Sequence, residues 1–183
     1  MSIYITGPPV AGKSHYGRKL AEHYNLPHLQ IGAMIEAMYA AGNELTTKVT
    51  KRLEEIFEQM FEEADRTKKK GTEVDKSKII PKIPDELLCE ILRWRLTWND
   101  VRNRGFILDG WPKKAEDAKL FFLQPQEEGD PIFDRTYYPE HVIWIKATIE
   151  QLKARIKELP SELTEGTHYT EDQTIRRFNL YKE

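Results

Sequence analysis

The octet Gly7-Pro8-Pro9-Val10-Ala11-Gly12-Lys13-Ser14 spaces a glycine, four residues and then Gly-Lys-Ser. A loop of this kind turns its backbone N–H groups inward, towards the oxygens of a phosphate chain, and the N-terminus of a following helix adds to the attraction. Lys13 would neutralise the outer phosphates of a nucleoside triphosphate, and the Ser14 hydroxyl would be a ligand to Mg²⁺. At average residue frequencies a chance match in a chain of this length is on the order of one in two hundred. The second candidate is Asp109, which ends the apolar run Phe106-Ile107-Leu108 just before Gly110. An Asp before Gly is often only a turn residue. Paired with the loop, it stands where phosphate-binding enzymes hold a magnesium-bound water.

These groups need elements to position them. Ile3-Tyr4-Ile5-Thr6 reads as a strand running into the loop, and Gly17, Leu20, Ala21 and Tyr24 follow at helical spacing. His28-Leu29-Gln30-Ile31 reads as a second short strand that stops near Gly32. From Leu45 to Phe61 the apolar residues trace one face of a long helix. The Lys68-Lys69-Lys70-Gly71 run and the stretch to Lys78 read as a solvated connection. Asp85 caps a helix carrying Leu87, Ile91, Trp94 and Trp98, with the tryptophans as packing residues and Cys89 as a small core residue. Phe106–Asp109 is a buried-type strand, a helix follows Pro112, and Gln124 to Tyr138 is turn-rich. Val142-Ile143-Trp144-Ile145 is a further strand. Capping boxes at Thr148-x-x-Gln151 and Thr170-x-x-Gln173 open the last two helices. Strands alternating with helices predict an α/β fold, a three-layer sandwich around a central parallel sheet.

Composition narrows the function classes. The 183 residues carry 28 Lys+Arg and 30 Asp+Glu, a net charge of −2, which argues against a protein that coats nucleic acid. No apolar run reaches the ~18 residues of a membrane helix, and Met1 to Pro9 lacks the features of a signal peptide, so an intracellular, cytoplasmic setting is expected. The single cysteine excludes an internal disulfide and a Cys-based zinc cluster.

The N-terminal loop, with Leu108-Asp109-Gly110-Trp111-Pro112-Lys113 about 95 residues later, resembles the adenylate kinase family, whose second motif reads Asp-Gly-aromatic-Pro-Arg. Ile83-Pro84-Asp85-Glu86-Leu87 is similar to the start of the helix that closes the family's nucleoside-monophosphate lobe. Leu159-Pro160, Gly166-Thr167-His168-Tyr169 and Asp172 look most like the type-7 adenylate kinases of cilia and flagella. The resemblance implies a P-loop fold of the nucleoside monophosphate kinase type over residues 1–183, with a helical monophosphate-binding insertion over 32–100 and a short lid over 159–169. It implies transfer of the γ-phosphoryl group of MgATP to a nucleoside monophosphate, AMP foremost. Lys13, Asp109 and Lys113 would be catalytic, and residues Gly7 through Ser14 would hold the donor phosphates. Arg155 would lie against the donor adenine. Gly32, Ile83, Gly110, Lys113 and Asp117 would face the acceptor, with His168, Arg176 and Arg177 as lid candidates.

Departures from the family pattern point the other way. Glu36 stands where an arginine usually holds the AMP phosphate, and an acid there repels it. Lys113 keeps the charge of the second motif's arginine without its bidentate fork. Asp117 replaces the glutamine that reads adenine, so it accepts but cannot donate. Family lid arginines fall on Leu159 and the Thr167-His168 pair, and the final helix's arginine falls on Phe178 without a gap or on Arg177 with one. Positioned cations carry much of phosphoryl-transfer catalysis, so a slow or partner-dependent enzyme is one expectation. A non-catalytic module of an axonemal assembly is the second, and a kinase for another small acceptor the third. The stop at Glu183, before the strand and helix that usually follow in the family, implies a shortened member or a module cut from a longer chain.

Overall fold

A computed structural model describes residues 1–68, 74–124, 130–159 and 170–182. Its strands are β1 (Ser2–Thr6), β2 (His28–Gln30), β3 (Phe106–Asp109) and β4 (His141–Trp144). They form a four-stranded sheet in the order β2-β3-β1-β4, with every pairing parallel. The helices are α1 (Lys13–Tyr24), α2 (Ile31–Ala41), α3 (Glu44–Thr67), α4 (Asp85–Leu96), α5 (Asn99–Arg104), α6 (Ala115–Phe122), α7 (Ile149–Glu158) and α8 (Glu171–Lys182). The expected α/β architecture is present.

The sheet shows why alternation matters. Ile3 and Ile5 of β1 point to one face, where they pack with Ala21 and Leu26 from α1 and its C-terminal turn and with Ile107 of β3. Tyr4 points to the other face, where its ring meets Phe122 of α6 edge-on. That face continues into an aromatic cluster in which Trp111, Phe122 and Tyr137 all contact Phe121. β3 is buried at all four positions, as a central strand covered by helices on both sides must be. Helices α7 and α8 pack through Leu152 and Phe178 against Ala11 of the phosphate loop. The Thr148–Gln151 capping box forms as the sequence predicts.

The chain divides into two compact units, Met1–Ile31 with Leu96–Glu183, and Gly32–Arg95. The second unit is helical. Asn43 caps α3 by accepting from the Thr46 N–H at 3.1 Å, and the Thr46 hydroxyl donates to the Met38 carbonyl at 2.7 Å, which ties α3 to the end of α2. Lys48 of α3 pairs with Glu90 of α4 at 2.7 Å.

Two readings are corrected. The second strand ends at Gln30, and the chain continues directly into α2; Gly32 sits in its first turn, and Met34 and Met38 are buried one turn apart. The helix expected to reach Trp98 ends at Leu96; Trp98 opens the short α5 and is 40% exposed, so it is not a core residue. The stretch read as a solvated connection is exposed from Asp75 to Lys78, where it forms one 3-10 turn closed by the Asp75 carboxylate accepting from Ser77; residues 69–73 lie outside the described residues. Cys89 is buried, as expected. No helix among the described residues is long and apolar enough to cross a membrane.

Candidate functional site

The loop between β1 and α1 is held at several points. Val10 and Gly12 both adopt positive φ, at 62° and 94°, and Gly12 is the residue from which α1 starts. Gly7 lies so close to β4 that a Cβ on it would collide with the Ile145 carbonyl oxygen. Ala11 is fully buried on α7 and α8, and its carbonyl accepts from Arg155 Nη1 of α7 at 2.9 Å. The cradle is thus fixed from the strand, from the helix it opens and from α7.

Lys13 Nζ donates to the Gly7 carbonyl at 2.9 Å and the Pro8 carbonyl at 2.7 Å. Burial pulls its ammonium down to about 8, with the charges of Arg177 and Lys113 acting in the same direction and Asp109 opposing them. Three basic side chains therefore share one field around the loop, and Asp109 opposes it at Lys13. Arg177 of α8 is half-buried, and its Nη1 is buried with no hydrogen-bond partner among the described residues. Arg176 is exposed. Phe178 is packed on Ala11 and Leu152, so Arg177 is the α8 cation beside the loop.

Asp109 ends β3 with its side chain 2% exposed. Burial alone would raise its pKa, yet hydrogen bonds from His28, Ser14 and Gln30, together with the His28 charge, hold it below the ordinary carboxylate range. His28 Nε2 lies 3.2 Å from Asp109 Oδ2, and Gln30 Nε2 donates to the same oxygen at 2.8 Å and to Ser14 Oγ at 3.0 Å. Gly17 of α1 makes this possible: a Cβ there would lie 2.6 Å from His28 Nε2. Neither His28 nor Gln30 stands out in the sequence, because the β2–β3 pairing creates their proximity.

After β3 the chain turns through Gly110 and a cis Trp111–Pro112 peptide. The Tyr4 hydroxyl donates to the Pro112 carbonyl, tying this turn to β1 and setting where Lys113 leaves it. Asp117 is buried, and its Oδ2 accepts from the backbone N–H groups of Lys113 and Lys114, both at 3.3 Å, as a first-turn cap of α6. That oxygen is committed to the turn. The structure thus gathers the Gly7–Ser14 loop, Asp109, Gly110, Lys113, Arg155 and Arg177 in the first unit. Gly32 and Ile83 belong to the second unit. Glu36 is an exposed residue of α2. His168 and the expected lid over 160–169 lie outside the described residues.

No family model matches the chain. Known proteins do. Over 195 residues it is 30% identical to "Adenylate kinase 7" of Macaca fascicularis, an alignment that takes in 100% of this chain and 37% of that protein. The same identity holds to "Adenylate kinase 7" of Mus musculus, across 100% of this chain and 32% of the relative. "Adenylate kinase" of Thermosipho africanus is 36% identical over 85% of this chain and 58% of its own length. The chain therefore spans 37% and 32% of the two adenylate kinase 7 proteins. Similarity that runs through the whole chain, on a parallel sheet that delivers the phosphate loop and Asp109 to one end, answers the question of kinship: the chain belongs to the adenylate kinase family.

Proposed function

We propose that this domain transfers the γ-phosphoryl group of MgATP to a nucleoside monophosphate, with AMP first among the acceptors. Its support is the positive charge that Lys13, Lys113 and Arg177 gather at the loop against Asp109. Lys13 is drawn down to about 8, and Arg177 presents a buried Nη1 with no hydrogen-bond partner among the described residues. A phosphate chain in the Gly7–Ser14 loop would answer both, restoring the ammonium charge of Lys13 and accepting from Arg177. Family membership supports an ATP-binding phosphotransferase in general terms.

The residues on hand suit magnesium. Ser14 is exposed and offers a hydroxyl, Asp109 offers a carboxylate, and both are hard oxygen donors. No group of three or more His, Cys, Asp or Glu among the described residues forms a cage for a metal ion. That fits a cation which keeps its water and phosphate ligands and borrows one or two from protein. Bound there, it would draw charge from the outer phosphate oxygens and hold them for in-line attack.

The side chains divide the remaining work. Lys13 leaves the Gly7 and Pro8 carbonyls for the outer phosphates, and Arg177 meets the transferred group. Arg155, anchored through Nη1, presents the plane of its guanidinium to the donor base. On the acceptor side of the first unit Lys113 supplies charge beside Gly110. A lysine without the arginine fork, and Asp117 in place of a glutamine, make that side unlike a standard AMP site, so turnover is expected to be slow.

The test is to incubate the purified chain with MgATP and, in turn, AMP, CMP, UMP or GMP, and to follow diphosphate formation against Lys13→Ala. Formation with AMP above that control is the expected result. Formation only with another acceptor would redirect the substrate, and none with any acceptor would leave the non-catalytic axonemal reading.

A further inference from the structure

Gln30 sits where two chemistries meet. It is the last residue of β2, and the parallel register places it opposite Asp109, the last residue of β3. Its amide nitrogen has two protons. One goes to Asp109 Oδ2 at 2.8 Å and the other to Ser14 Oγ at 3.0 Å, so a single group spans the hydroxyl and the carboxylate.

Two consequences follow from donor and acceptor counting. A hydroxyl has one proton and two lone pairs. With one lone pair of Ser14 taken by Gln30, its proton is directed elsewhere, and Asp109 is the acceptor it stabilises. The other lone pair is left for a ligand. Asp109 Oδ2, held by both Gln30 and His28, cannot rotate freely about its side-chain bond. A neutral amide does this without adding a further positive charge to the one His28 brings to Asp109; a lysine or arginine in its place would add a second ion pair.

We infer that Gln30 is a positioning residue, whose amide sets the Ser14 hydroxyl and the Asp109 carboxylate as a prepared oxygen pair for the magnesium that accompanies a nucleoside triphosphate. The inference rests on the nucleotide site described above and deepens it. Groups that orient metal-binding side chains typically change metal affinity by 10–100-fold when removed.

The test uses the full chain and a fluorescent ATP analogue, titrated with Mg²⁺ present and again in EDTA. Gln30→Met keeps the length of the side chain and removes both donors. The wild-type chain is expected to bind more tightly with Mg²⁺ than without. In Gln30→Met that gain falls about 10-fold or more, while the affinity in EDTA stays within about twofold. In a Ser14→Ala background, Gln30→Met changes the magnesium gain by less than it does in the wild-type chain, because only its contact with Asp109 remains to be lost. An unchanged magnesium gain in Gln30→Met overturns the inference. So does an equal loss of affinity with and without Mg²⁺, which marks Gln30 as a purely structural residue. Wild-type binding that ignores Mg²⁺ also overturns it while leaving the phosphate loop intact. Failure of the wild-type chain to bind the analogue at all refutes the nucleotide reading itself, and the inference with it.

Discussion

Replacing Lys13 by methionine tests the electrostatics of the site. Burial and neighbouring positive charge move its ammonium from the ordinary 10.5 to about 8. The folded chain therefore releases this proton before the unfolded chain does. Below about pH 8 both states hold it and the folded state bears the full cost. Between about 8 and 10.5 the unfolded state binds more protons, so the stability of the wild-type chain rises with pH. At full weight that interval is worth roughly 3 kcal/mol, and solvent screening at a half-buried side chain reduces it to about 1–2 kcal/mol. Lys13→Met removes the titration and leaves the other ionisable groups in place. Urea unfolding of both chains from about pH 7 to about pH 10 should show the difference, wild type minus variant, climbing by about 1–2 kcal/mol in favour of wild type. In the wild-type chain, ATP binding near pH 9 should also take up close to one proton, read by calorimetry in buffers of different ionisation enthalpy, as the phosphates restore the lysine charge. A flat difference across this range, or binding without proton uptake, would refute the reasoning that Lys13 waits as an under-neutralised cation.

Neighbouring residues of α8 should separate cleanly. Phe178→Ala empties a buried position against Ala11 and Leu152 and should cost about 3–5 kcal/mol in denaturant unfolding. Arg177→Ala should leave stability unchanged or raise it, since a buried donor with no hydrogen-bond partner among the described residues is removed, and should weaken ATP binding by about tenfold. For Arg155→Leu, the loss of a planar cation should weaken ATP binding about tenfold, while the affinity for inorganic tripolyphosphate falls by less than about threefold. Comparable loss for both ligands would assign Arg155 to the loop alone.

Much of the candidate site is legible in the sequence because its parts are local. Eight consecutive residues carry the loop, and an apolar run ending in Asp109 carries the second element. What the sequence conceals depends on strand pairing. Gln30 and His28 are unremarkable polar residues until the β2–β3 register sets them against Asp109. Between Arg177 and Phe178, spacing alone leaves the choice open; burial of Phe178 on Ala11 settles which side chain turns inward and which cation remains beside Lys13. Asp117 reads in the sequence as an acid facing the acceptor, and it is the structure that shows the backbone of Lys113 and Lys114 claiming one of its oxygens as a first-turn cap. Helix α2 was open to detection in the four-residue spacing of Met34 and Met38, but Gly32 weakens a helix signal even where, in the first turn, it costs little.

Phosphoryl transfer between nucleotides is the activity proposed for this chain. It is measured by supplying MgATP labelled in the γ-phosphate together with unlabelled AMP and locating the label. Label is expected in the β-phosphate of newly formed ADP, at a rate that Lys13→Ala abolishes. Label that stays in ATP, or leaves only as inorganic phosphate, would contradict it.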